Sequence, residues 1–252
     1  MMFKDKVVIV TGAAMGIGKA IAAAFAREGA ALVLGDIVAD KLSATVEELK
    51  AGGTRVVGLA GDISRVEDAN ALVDLAKNTY NRLDVLVNNA GIMDRFLPIG
   101  EITDEVWNKV LGVNLNGPMY TMRRAIPQMI EQGGGVIIDI TSAAGLGGGF
   151  AGVAYTTSKH GVVGLVKNTA WMYASKGIRV VGIAPGGVNS GISLGGVPSE
   201  FGYAQLAKNL ATMPRSGEVD ELANVVVFAA SEKASFLNGA IIPVDGAWLA
   251  GG

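Results

Sequence analysis

Seven short apolar runs punctuate the chain, at 6–10, 31–35, 55–60, 84–87, 136–140, 178–184 and 241–244. Each is too short for a helix and is continuously apolar rather than alternating, the pattern of strands buried on both faces of a parallel sheet. Longer segments with helical spacing lie between them. Ser64-Arg65-Val66-Glu67 reads as a capping box opening one of these, and 153–174 reads as a long helix. Strand and helix in unbroken alternation predict an α/β architecture: a single-domain, doubly wound Rossmann fold with a seven-stranded parallel sheet. No linker or repeat divides the chain, so 1–252 is expected to form one domain. The one irregular tract, about 186–215, is rich in Gly, Ser and Pro and reads as a substrate lid.

Composition narrows the function. Glycine supplies 36 of the 252 residues without a three-residue period, half the chain is apolar and 17% is charged. Collagen, coiled coil and disorder are therefore excluded. A net charge of −2, with no basic run, gives no electrostatic footprint for nucleic acid. The absence of cysteine removes disulfides, thiolate catalysis and zinc–cysteine sites. With His160 the only histidine, no metal site is expected. Two charge-free stretches, 140–158 and 180–199, approach the length of a bilayer span, but Gly, Ser and Pro interrupt them. Neither a membrane segment nor a secretory leader is expected, which points to a cytoplasmic protein.

Directly after the first strand stands Thr11-Gly12-Ala13-Ala14-Met15-Gly16-Ile17-Gly18. Glycines there let the backbone turn sharply and approach a pyrophosphate resting on the following helix N-terminus. The Gly-x-x-x-Gly-x-Gly spacing departs from the commoner dinucleotide fingerprint, and no triphosphate loop fits. Asp36, eighteen residues past Gly18, stands where a carboxylate can accept hydrogen bonds from an adenosine ribose. It would repel a 2′-phosphate, and no arginine adjoins it, so NAD is expected over NADP.

Tyr155 and Lys159 lie at i and i+4 on one face of the long helix. A phenol with its usual pKa near 10 is a weak base at neutral pH; a nearby ammonium is expected to lower it. Ser142, just past the fifth apolar run, could donate a hydrogen bond to a substrate oxygen.

With these motifs in order, the chain resembles the short-chain dehydrogenase/reductase family over essentially its whole length. Thr11-Gly12-x3-Gly16-Ile17-Gly18 is similar to the family's cofactor loop and Asn88-Asn89-Ala90-Gly91 to its second signature. Asn114, Ser142, Tyr155 and Lys159 are similar to its catalytic tetrad, and Pro185-Gly186 to its nicotinamide-side turn. The resemblance implies an NAD-dependent enzyme acting on CH–OH groups. Tyr155 would be the general acid/base and Ser142 would hold the substrate oxygen. Lys159 would lower the tyrosine pKa and bind the nicotinamide ribose, while Asn114 would anchor a proton-relay water. It further implies cofactor contacts from Gly12, Met15, Gly16, Ile17, Gly18, Asp36, Asp62 and Ile63. Asn88, Ala90, Gly91, Pro185, Gly186, Val188 and Ser190 complete that set. Ser190 replaces the family's usual threonine.

By position, Ala144, Leu146, Phe150 and Ile192 join Ser142 and Tyr155 as expected substrate contacts. Met93, Val188, Leu194, Phe201, Tyr203 and Leu206 form the remaining pocket wall. These are mostly apolar, so a small-molecule ketone or secondary alcohol with an apolar substituent is expected. A 3-oxoacyl-carrier-protein reductase is one alternative, with Arg123-Arg124 as a carrier dock; a non-catalytic dinucleotide sensor is another. Gly191-Ile192-Ser193-Leu194-Gly195 matches a hydrolase elbow, but it lacks the flanking strand and helix and has no downstream histidine. The resemblance also implies a homotetramer or dimer; Phe236, Leu237, Trp248 and Leu249 fit a buried interface, and core packing explains them as well.

Overall fold

The computed structural model describes residues 1–251. Seven strands, β1 (Val7–Thr11), β2 (Ala31–Asp36), β3 (Val56–Ala60), β4 (Val85–Asn88), β5 (Gly135–Ile140), β6 (Ile178–Pro185) and β7 (Ile241–Val244), form one sheet. Its order is β3-β2-β1-β4-β5-β6-β7, and every pairing is parallel. Eight helices cover it: α1 (Gly16–Arg27), α2 (Ala39–Ala51), α3 (Val66–Tyr80), α4 (Asp104–Leu111), α5 (Gly117–Glu131), α6 (Val153–Tyr173), α7 (Glu200–Leu210) and α8 (Val219–Ala230). The expected doubly wound Rossmann architecture is the one observed.

Strand β1 shows why its sequence is continuously apolar. Val8 and Val10 enter one core with residues of α1, α2 and α8, while Val7 and Ile9 enter a second with α3, α5 and α6. The edge strands differ. β3 and β7 keep only partial burial, because each has a single neighbour in the sheet. An isolated helix of the length of α1 is marginal in water; burial of Ile21 and Phe25 fixes it, with Phe25 edge-on to Phe3 at 4.8 Å between ring centres.

Two local expectations are corrected. The Ser64 capping box does not form: α3 starts at Val66, and the Ser64 hydroxyl donates to Asp62 Oδ1 at 2.7 Å instead. The tract 186–215 is not wholly irregular, since it contains α7, whose N-terminus is capped by Ser199 Oγ accepting from Gly202 N. Trp248 packs edge-on against Phe150 at 4.8 Å and donates from Nε1 to the Asn209 carbonyl. Among the described residues, no helix is long and apolar enough to cross a membrane.

Candidate active site

The order in which strands are added reverses at β1, whose second neighbour, β4, is three strands away in sequence and runs parallel to it. In such sheets a crevice opens there, outside the carboxyl ends of the strands. The glycine loop lines it. Gly12 and Gly16 have φ of +64° and +54°, a region that disfavours side chains, and Gly18 lies directly against the Gly12 carbonyl. α1 begins without any capping side chain at Met15, so its first amides keep their donors for an anion. The neighbouring strand end locks the loop: Asn89 Nδ2 donates to the Thr11 and Gly12 carbonyls, and Thr11 Oγ1 accepts from the Asn89 and Ala90 amides. These bare donors and side-chain-free turns suit a dinucleotide pyrophosphate.

Asp36 closes one end of this cradle. Its carboxylate accepts from Ala14 N and Val38 N, both at 2.9 Å, and four lone-pair sites leave capacity for ribose hydroxyls. Asp62 accepts from Ser64, and Ile63 packs on Gly117. Ile17 packs into the core while Met15 is exposed. A Cβ on Gly91 would lie 3.7 Å from Lys159 Nζ, which places this residue beside the ammonium. On the far side, Gly186 N donates to the Val244 carbonyl, Val188 bridges to Gly217, and the Ser190 carbonyl sits against Gly16. The Asn88 carboxamide is spent inside the protein, donating to Asp139 at 2.8 Å and accepting from Thr121 at 2.7 Å. It ties β4 to β5 and α5, which leaves the main chain of Asn88 as its surface toward the crevice.

The reactive groups meet at the end of β5. Ser142 opens the 3₁₀ turn Ala143–Gly145, its hydroxyl accepting from Ala144 N at 3.1 Å, and stands beside Tyr155. Lys159 Nζ lies 5.5 Å from the centre of the Tyr155 ring and donates to the Ile140 carbonyl at 2.8 Å. Asn114 sits in a π-helical turn, Gly112–Asn116; its side chain bonds both main-chain groups of Ile92 and the Ser158 hydroxyl.

Their electrostatics differ from the sequence expectation. Burial pushes Tyr155 up to about 12, reinforced by the Asp94 charge and opposed only by the neighbouring Ser142 hydroxyl. The protein's own groups thus hold the phenol protonated, and Lys159 alone does not bring it down. Burial also lowers Lys159 to about 8, with the Asp139 carboxylate pulling the other way. Asp139 is pushed up to about 7 by complete burial on β5; its Oδ2 has no hydrogen-bond partner.

Of the expected substrate contacts, Ala144 is buried, Leu146 and Ile192 are exposed, and Phe150 is backed by Trp248. Tyr203 packs near Phe96, and Leu206 is buried. Arg123 lies over Tyr120 and Arg124 pairs with Asp74, so the basic pair is internally engaged. His160 bonds its own helix through Thr156. Sequence reading missed Asp94 and Asp139, and gave Thr11 no role beyond its place in the loop motif. An aspartate inside the apolar run Val136–Ile140 was the available signal for Asp139.

Fold and crevice together define a dinucleotide-binding type of oxidoreductase. Residues 6–195 match the short chain dehydrogenase family model, and the chain belongs to that family. A 3beta-hydroxysteroid dehydrogenase 2 from Eggerthella lenta is 43% identical over 244 residues, covering 96% of this chain and 94% of the relative. A cyclohexanol dehydrogenase from an Acinetobacter species is 37% identical, covering 98% and 96%. The crystal structure of levodione reductase superposes with a TM-score of 0.90 at 32% identity, covering 99% of this chain and all of that one. The protein is accordingly an oxidoreductase acting on alcohols or ketones.

Asp139 generates a pH prediction. Its carboxyl titrates near 7 when folded but near 4 when unfolded, so the folded chain retains a proton the unfolded chain releases. That contribution to stability is complete below pH 4 and is lost as pH rises through 7. Asp139→Asn cannot ionise, so its melting temperature should fall less than the wild type's between pH 5 and 7.5. Equal falls would contradict this origin.

Proposed function

We propose that the protein interconverts a secondary alcohol and a ketone bearing an apolar substituent, with NAD(H) as its cofactor. The observation that carries this reading is the convergence of Ser142, Tyr155 and buried Lys159 beside the glycine cradle. The bound dinucleotide would supply hydride to the carbonyl carbon, or accept it from the alcohol. In reduction, Tyr155, protonated at neutral pH, gives its hydroxyl proton to the substrate oxygen. Ser142 donates a second hydrogen bond to that oxygen and stabilises its developing charge. In oxidation, Tyr155 must first lose a proton it holds tightly. Lys159 contributes positive charge toward that end, provided pH stays below its lowered pKa. Asn114, whose side chain is already engaged, forms a fixed wall for a relay water leading to Lys159.

Asp36 supports NAD over NADP, because a 2′-phosphate beside its carboxylate would meet like charge. Apolar walls support the substrate class, as does similarity to relatives named for steroid and cyclohexanol substrates. Trp171, Met172 and Phe236 are exposed apolar side chains that support subunit contacts, and we read the enzyme as a cytoplasmic homotetramer. Light scattering should return about four chain masses; a monomer would contradict that assembly.

Steady-state assays across alicyclic and steroid ketones, sugars and acyl thioesters, with each cofactor, test the catalytic reading. NADH with an apolar ketone should give the highest kcat/KM, and Asp36→Ala should narrow the cofactor preference by roughly tenfold or more, about 1.4 kcal/mol. Preference for NADPH, a sugar or a thioester would contradict it.

A further inference from the structure

Helix α6 carries Tyr155 in its first turn, yet its N-cap residue is Gly152, which has no side chain to satisfy the first amides. The missing cap comes from Asp94, which lies between β4 and α4 and is 1% exposed. Asp94 Oδ1 accepts from Gly152 N at 3.2 Å, and Oδ2 accepts from Tyr155 N at 2.9 Å. The Tyr155 amide is at the third helical position, where a capping side chain ordinarily binds. Gly152 is required for the fit, because a Cβ there would sit 2.5 Å from both carboxylate oxygens.

The same aspartate opens a strained turn. Arg95 and Phe96 both have positive φ, +59° and +56°, the turn closes with Leu97 N donating to the Asp94 carbonyl, and Oδ1 also holds Phe96 N. Non-glycine residues keep such a conformation only when their surroundings impose it. This turn meets the lid on its other side: Ser199 N donates to the Arg95 carbonyl at 2.9 Å, and the Phe96 carbonyl abuts Gly202.

We propose that Asp94 is a positioning residue that clasps the first turn of α6 and, through its turn, seats α7, so that lid placement and Tyr155 placement are set together. This rests on the reading of Tyr155 as acid/base. Asp94 touches neither substrate nor cofactor in this account; it acts through the main chain of Tyr155, through Ser199, and through the charge that helps hold the phenol protonated.

Asp94→Asn keeps size and one acceptor oxygen but turns an NH₂ toward amide donors. Its kcat for ketone reduction should fall about 10- to 100-fold, as expected for a displaced catalytic group, with a several-fold rise in ketone KM. The dinucleotide Kd from fluorescence quenching should stay within about twofold, since the cradle is separate. Loss of dinucleotide affinity equal to the loss of kcat, or an unchanged kcat with only a lower Tm, would overturn the proposal. Hydrogen exchange on the wild type supplies a second arm that needs no variant. Segments 150–157 and 197–205 should open with the same dependence on denaturant; independent opening would overturn the clasp. Failure of the acid/base reading would show differently, as turnover by Tyr155→Phe with exchange still correlated.

Discussion

The active site depends on the fixed seating of α6 across the carboxyl end of β5. Lys159 makes two of the bonds that hold it there: its ammonium donates to the Ile140 carbonyl, and its own carbonyl accepts from Thr141 Oγ1. Gly145 presses against the Lys159 main chain, too close for a side chain. One turn earlier, Asp94 holds the helix start. Tyr155 lies between these two anchors, so its ring is placed by bonds its hydroxyl does not make. The hydroxyl remains for Ser142 and substrate.

That seating carries an electrostatic cost that also serves the chemistry. Burying a phenol, an ammonium and a carboxyl together disfavours the charged form of each: Tyr155 and Asp139 rise, and Lys159 falls. A firmly protonated tyrosine suits a proton donor, which is what carbonyl reduction requires. Running the reaction toward the ketone needs added positive charge near the phenol, and an oxidised nicotinamide carries one.

The sheet was legible in the sequence because each strand is a continuous apolar run and each crossover has helical period. The glycine loop was legible because close approach and positive φ leave few other residues available at Gly12, Gly16 and Gly18. The Tyr155–Lys159 pair followed from helical spacing. Contacts distant in sequence were not legible. Nothing local shows that Asp94 caps a helix whose N-cap lies 58 residues later, or that the Asn88 carboxamide turns inward to Asp139 rather than outward. α7 was hidden because Gly202 and the surrounding Gly, Ser and Pro mask its period. The direction of the Tyr155 shift was misjudged because a sequence shows the nearby lysine but not the burial that outweighs it.

Proton transfer by Tyr155 from a site that binds dinucleotide independently is the centre of this account. Replacing Tyr155 with phenylalanine removes only the hydroxyl. Measured in one preparation, turnover of an apolar ketone should fall by about 10²–10⁴-fold, the usual worth of general acid–base catalysis, while dinucleotide Kd stays unchanged. Turnover within a few-fold of wild type, with the same Kd, would contradict it.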